Sequence, residues 1–165
     1  MKDMNLALEE CIRTYEREIS RKNTLESKAS TILSTNAIVI SILIGLMTLI
    51  FSDIVNFKYT IVILLDIFSS ILVFISIIYS LKVLKIKKRC IPFKIKNPNS
   101  LKKCLACDNL QEELYKRYRL LIPRIYYLNE NKCKDLNNSL KLLIYGLTVS
   151  FLSLILIIFI FIKVI

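Results

Sequence analysis

Histidine is absent from this 165-residue chain, and glycine occurs only twice, as Gly45 and Gly146. Without imidazole there is no His-based nucleophile triad, no zinc-protease helix and no side chain whose ordinary charge change falls near neutrality. Both glycines stand inside apolar runs, so no glycine-rich turn is available to cradle a phosphate on main-chain N–H groups. The acids Asp108, Glu112 and Glu113 stand among bases on a helical stretch and read as ordinary solvated pairs. The expectation is a chain that is not an enzyme and needs no cofactor.

Five cysteines, an odd number without regular spacing, do not make a disulfide framework. Cys104-Leu-Ala-Cys107 is a C-x-x-C, and Cys90 and Cys133 complete a possible four-thiolate zinc set, although the outer spacings are unlike a zinc ribbon. The alternative is that these are small, half-buried helix residues.

What the chain has in abundance is apolar length. Hydrophobic residues make up 55% of it, more than one small soluble core can bury. Three charge-poor runs stand out: Ala29 to Ser52, Tyr59 to Leu81 with one acid inside, and Leu142 to Ile162. At the helical rise each covers the roughly 30 Å hydrocarbon core of a bilayer. The first lies behind a mixed-charge segment, too far along to be a secretory signal, so all three are kept as spans. The fold class expected is an all-α integral membrane protein, its spans 29–52, 59–81 and 142–162 joined to a helical bundle formed by their extensions.

The basic residues set the orientation. Between Lys82 and Lys141 there are 16 basic and 5 acidic residues, which accounts for the whole net charge of +11, while Met1 to Lys28 holds 6 of each. Outside these two segments only Lys58 and Lys163 are basic. Lys and Arg accumulate on the cytoplasmic side. This places the N-terminal segment 1–28 and the insert 82–141 in the cytoplasm of a multi-pass inner-membrane protein, the Ser52–Lys58 turn outside, and the C-terminus at the outer surface. The five cysteines then all lie on the reducing side.

Along the chain, Met4, Leu8, Ile12, Tyr15 and Ile19 make a one-sided helical stripe, with Glu9 and Glu18 four residues before Arg13 and Lys22. No Gly or Pro separates this amphipathic helix from the first span, so the two run on as one. The Lys82 to Lys103 run carries no acid and reads either as a site for an anionic partner or as a topology signal beside anionic headgroups. Cys90 to Asn99, with Pro92 and Pro98, reads as a connector. Ser100 can cap a further helix whose Leu114, Tyr118, Leu121, Ile125 and Leu128 match the N-terminal stripe in coiled-coil fashion. Pro123 inside it is expected to kink or break the helix.

Small residues recur inside the spans. Ser30, Ser34, Ala37, Ser41, Gly45, Thr48 and Ser52 make one seam; Asp66, Ser69, Ser76 and Ser80 follow another past Val73; Gly146, Ser150 and Ser153 begin a third. Small residues let helix backbones approach in lipid, so the seams serve packing within the chain or line a pore in an oligomer. Asp66 is an intramembrane acid with no base at its depth. It is expected to be protonated, to touch water, or to hydrogen-bond Gly45, Thr48 or Ser153, and structural and proton or pore roles both stand. Asn36, about 10 Å away along the helix axis, is expected to bond Ser76, Tyr79 or Thr148 instead.

Glu26-Ser-Lys28-Ala29-Ser-Thr-Ile-Leu33-Ser-Thr-Asn36 resembles the acid-x-Lys-Ala motif, with Asn eight residues after the Lys, of the transmembrane effectors of Pycsar anti-phage systems. It also resembles the broader SLATT group of small membrane effectors. Here Glu26 stands where Asp is usual. The order of an N-terminal helix, two spans, a cytoplasmic helical insert and a last span is similar along nearly the whole chain. The resemblance implies a non-enzymatic antiviral effector that senses a cyclic nucleotide made by a neighbouring cyclase and impairs the inner membrane. The residues also have a plain physical reading: Lys28 reaches headgroups, Glu26 pairs with a base, and Asn36 locks a helix contact.

Three partners are expected: the lipid bilayer, further copies of the chain in a homo-oligomer, and the nucleotide; no nucleic acid is expected. Arginine's planar fork suits phosphate, which singles out Arg117, Arg119 and Arg124, within reach of Arg13, Arg17 and Arg21 once the two helices pair. The alternative for these arginines is pairing with Glu112, Glu113 and Glu16. The alternative for the whole chain is a constitutive membrane scaffold or accessory or channel subunit without ligand gating.

Overall fold

A computed structural model describes residues 2–52, 60–85 and 110–162. Within them the fold is all-helical: α1 spans Lys2–Ser52, α2 Thr60–Leu84 and α3 Leu110–Ile162. Each of the three holds a stretch long and apolar enough to cross a membrane. The Ser52–Lys58 turn beyond Ser52, the Cys90 to Asn99 connector, the Ser100 cap, Lys163 and the cysteines Cys90, Cys104 and Cys107 lie outside the described residues.

α1 continues without interruption from the charged segment into the first apolar run, as expected where neither Gly nor Pro intervenes. Pro123 does not break α3, which is helical on both sides of it. Proline has no N–H to offer the carbonyl four residues back, that of Arg119. Arg119 and Pro123 both lie on the exposed side, where water can take the place of the lost donor.

The chain forms two compact units, Met1–Leu25 with Ile86–Lys132 and Glu26–Lys85 with Cys133–Ile165, so that α1 and α3 each contribute to both. In the first, charged unit, the two helices run parallel, since Tyr15 meets Tyr118 edge to face at 5.3 Å, Glu18 meets Asn129, and Arg21 meets Glu130. The stripes foreseen from spacing form this contact. Leu8, Ile12, Tyr15 and Ile19 are half-buried, as are Leu114, Tyr118, Leu121 and Leu128, while Ile125 is buried.

The second, apolar unit packs three helices. Its buried positions on α2 are Val62, Asp66, Ser69, Val73, Ser76, Ser80 and Val83, an unbroken alternation of four and three. α1 repeats the pattern with Ala29, Ile32, Asn36, Val39 and Leu43, and α3 with Ser139, Leu143, Gly146, Ser150 and Ser153. A 3.5-residue period keeps one stripe facing its neighbours along the whole helix, the condition for knobs-into-holes packing. α2 runs antiparallel to α3, because Ser80 and Ser76 pair with Ser139, Ser69 with Gly146, and Asp66 with Ser153. The apolar core of the unit comprises Ile32, Val39, Leu43, Val73 and Leu143.

Candidate functional site

The inward stripe of the apolar unit carries two polar levels, with Val73 between them. At one level lie Asn36, Ser76, Ser80 and Ser139, all 0% exposed. Ser76 Oγ donates to the Ser139 carbonyl, Ser139 Oγ donates back to the Ser76 carbonyl, and each bond is 2.8 Å. Ser80 Oγ lies 2.7 Å from Ser139 Oγ, and Asn36 Nδ2 donates to Ser76 Oγ at 3.1 Å. With one hydrogen per hydroxyl the set closes: Ser76 and Ser139 spend theirs on carbonyls, and Ser80 and the Asn36 amide supply the donors that the two hydroxyl oxygens accept. Asn36 Oδ1 is buried without a hydrogen-bond partner.

Ten residues along α2, about 15 Å at the helical rise, lies a second polar level. Asp66 is 0% exposed there, and its Oδ1 is 2.5 Å from Ser153 Oγ. Ser153 Oγ is also 2.8 Å from the Ser150 carbonyl, and Asp66 Oδ2 has no hydrogen-bond partner. Between the two levels Val73, 0% exposed, closes the seam against Gly146. A Cβ on Gly146 would fall 2.8 Å from Val73 Cγ2, so only glycine allows this approach. Ser69 Oγ, one turn from Val73, donates to the Gly146 carbonyl at 2.8 Å.

The residues singled out by sequence take these places. Asp66, Ser69, Ser76, Gly146 and Ser150 face inward, and of the three partners expected for Asn36 the structure selects Ser76. Tyr79 instead lies under the Lys82 ammonium, 4.7 Å from its ring centre, and Thr148 bonds the Tyr145 carbonyl of its own helix. Of the neighbours foreseen for Asp66, Ser153 is in contact, whereas Thr48 turns to the Gly45 carbonyl. Ala29 is fully buried, Lys28 is exposed and Glu26 is half-buried, so the acid-x-Lys-Ala segment presents its alanine to the interior and its lysine outward.

The α1 seam is differently placed. Ser30, Ser34, Ala37, Ser41, Gly45 and Thr48 are exposed, and a Cβ on Gly45 would meet nothing within 4 Å. This seam does not pack within the unit. The small partners on α2 and α3 leave room for the larger Ile32, Val39 and Leu43, which α1 turns inward. The stripe one to two residues further on, about 100–200° around the helix, is thereby carried outside. Its hydroxyls are satisfied locally: Ser34 donates to the Ser30 carbonyl, Ser41 to that of Ala37 and Thr48 to that of Gly45.

In the charged unit the arginines divide. Arg13 lies 3.8 Å from Glu10 rather than on Glu9, and Arg117 pairs with Glu113 four residues back on its own helix. Arg17, Arg119 and Arg124 are exposed. Arg21 crosses to the other helix, 2.6 Å from Glu130 and 5.7 Å from the Tyr126 ring centre. Beside it Asn129, 1% exposed, donates to both the carbonyl and the carboxylate of Glu18 at 2.8 Å. Lys116 at 2.7 Å holds the exposed Glu112 carboxyl below its usual range by hydrogen bonding and charge. Burial, and secondly the charge of Glu16, push the Tyr118 hydroxyl above its ordinary value. Cys11 and Cys133 are free, half-buried thiols, and no cluster of three or more metal-ligating side chains occurs among the described residues.

Ser139, Asn129 and Lys132 are buried polar residues that the sequence reading passed over. Their signal was present: 125, 129, 132, 136, 139 and 143 continue the alternation of four and three that leads into Gly146, Ser150 and Ser153. Comparison with known protein families, with curated proteins and with solved structures finds no match for the chain.

Proposed function

We propose that the three helices cross a membrane with the charged unit in the cytoplasm, and that the protein is a non-enzymatic effector which disturbs or permeabilises that membrane as an assembly of several copies. The carrying observation is the uncovered face of α1, where Ser30, Ser34, Ala37, Ser41, Gly45 and Thr48 lie outside the unit. The exposed faces of α2 and α3 hold large apolar side chains suited to lipid, such as Leu64, Phe68, Phe74, Phe151 and Phe159. The α1 face instead suits a close helix contact, because small residues permit backbone approach and its hydroxyls are already bonded to its own carbonyls.

The trigger on this reading is a cytoplasmic anion of the cyclic-nucleotide kind, as the resemblance of the Glu26 to Asn36 segment to Pycsar effectors implies, acting in anti-phage defence. Arg17, Arg119 and Arg124 offer exposed forks to phosphate among the described residues of the charged unit. Arg13 and Arg117 must leave Glu10 and Glu113 to join them. The test is induced expression with and without cyclic nucleotides while membrane potential is followed. Nucleotide-dependent depolarisation that is lost in an Arg119→Ala, Arg124→Ala variant supports the effector. An unchanged potential under every nucleotide favours a constitutive scaffold or accessory subunit, a role for which the closed Ser76–Ser139 hydrogen-bond set is also suited.

A further inference from the structure

Counting hydrogens around Asp66 assigns it a proton. The Ser153 hydroxyl owns one hydrogen but lies within bonding distance of two acceptors, the Ser150 carbonyl at 2.8 Å and Asp66 Oδ1 at 2.5 Å. An ionised Asp66 would bring charge to a 0% exposed position with one shared hydrogen for Oδ1 and none for Oδ2. Among the described residues no compensating cation is within reach: the stretches 29–52, 60–81 and 142–162 contain no Lys or Arg and no acid besides Asp66. Their other titratable groups are Tyr79, more than three turns away on the same helix, and Tyr145, exposed and eight residues from Ser153. A buried charge left in this state is among the costliest arrangements in a protein interior.

We infer that Asp66 is an intramembrane proton-binding site: its carboxylic O–H donates to Ser153 Oγ, whose own hydrogen goes to the Ser150 carbonyl. Each short contact then has one hydrogen, and the orphan Oδ2 is a neutral carbonyl oxygen rather than half of a charge. The proton thereby clasps α2 to α3 at this level, independently of any nucleotide or effector role. When the proton leaves, Ser153 has a single hydrogen for a carbonyl and a carboxylate, and the clasp loses a bond. The protonated state rests on burial and hydrogen count alone, so its absence would leave the proposed function untouched.

Infrared spectroscopy of the full-length protein in lipid vesicles at neutral pH tests it. Labelling all aspartates with ¹³C at the carboxyl carbon should shift a carboxylic C=O band, since a protonated aspartate at that pH is a buried one. The band should vanish in Asp66→Asn. In Ser153→Ala it should persist and move to higher frequency, because the O–H has lost its acceptor. The isotope arm uses the unaltered chain and so stands even where a variant misfolds. Carboxylate bands alone, with no isotope-shifted carboxylic band, would overturn the assignment.

Discussion

Ser76 on α2 and Ser139 on α3 exchange hydrogen bonds, each hydroxyl donating to the other residue's carbonyl at 2.8 Å. The carbonyl of a helical residue already accepts from the N–H four residues on, so each exchange fills a second lone pair. The contact joins two backbones without disturbing either helix. It also fixes register, since a shift by one residue would remove both hydroxyls from reach.

Ser139→Ala removes its bonds to the Ser76 carbonyl and to Ser80, and leaves the buried Ser80 hydroxyl without its acceptor. A destabilisation of about 1–3 kcal/mol is expected. Ser76→Ala in the same chain should add less than its effect alone, because the pair shares its bonds. Thermal unfolding of the single and double variants in detergent measures both; fully additive losses would contradict the exchange.

The two glycines should behave oppositely. Gly146→Ala forces a methyl against the buried Val73, and the overpacking should cost about 1–3 kcal/mol. Val73→Ala should relieve part of that loss. Gly45→Leu meets nothing within the chain, so it should leave the unfolding temperature of dispersed chains unchanged while lowering the oligomeric state in mild detergent. Size measurement by light scattering distinguishes the two, and an unaltered oligomer in Gly45→Leu would remove α1 from the interface.

Tyr118 gives the charged unit an alkaline limit. Its hydroxyl is held above its ordinary value of 10.0 in the folded chain, by burial first and by Glu16 second, so the folded state keeps the proton more tightly than the unfolded state does. Stability from this group is complete below the unfolded value and is lost as pH rises through the folded one. Near-ultraviolet circular dichroism should lose the Tyr15–Tyr118 signal on that rise, and Tyr118→Phe should flatten the dependence on pH. A parent and variant with the same alkaline profile would argue against it.

Topology follows from charge. A reporter fused after Ile165 should read as external and one inserted near Asn99 as cytoplasmic, because Lys and Arg concentrate in 1–28 and 82–141. Two reporters on one side would remove the three-span arrangement.

Helix type and the α2 stripe were legible because Asp66, Ser69, Val73, Ser76 and Ser80 differ sharply from the large apolar residues around them. On α1 the same reasoning marked a stripe that stays on the outside of the unit. Smallness marks a residue that can be approached, yet the side that turns inward is decided by the neighbours' volumes, which no single helix reveals. Ser139 escaped notice because Lys141 sets an apparent edge to the third run, although the inward spacing passes straight through it. Pro123 misled for a related reason: propensity penalises it within a helix, but on an exposed face of a long helix the penalty is met by water and by the turns on either side.

The contact of Val73 with Gly146 leaves no room between α2 and α3 at its level for even one added methyl group. On the proposed reading, any conducting path therefore belongs to the space between chains. Current through the membrane should then climb more steeply than in proportion to the amount of protein present. On that reading a cell holding few copies should stay sealed, and one that passes a threshold of surface density should discharge.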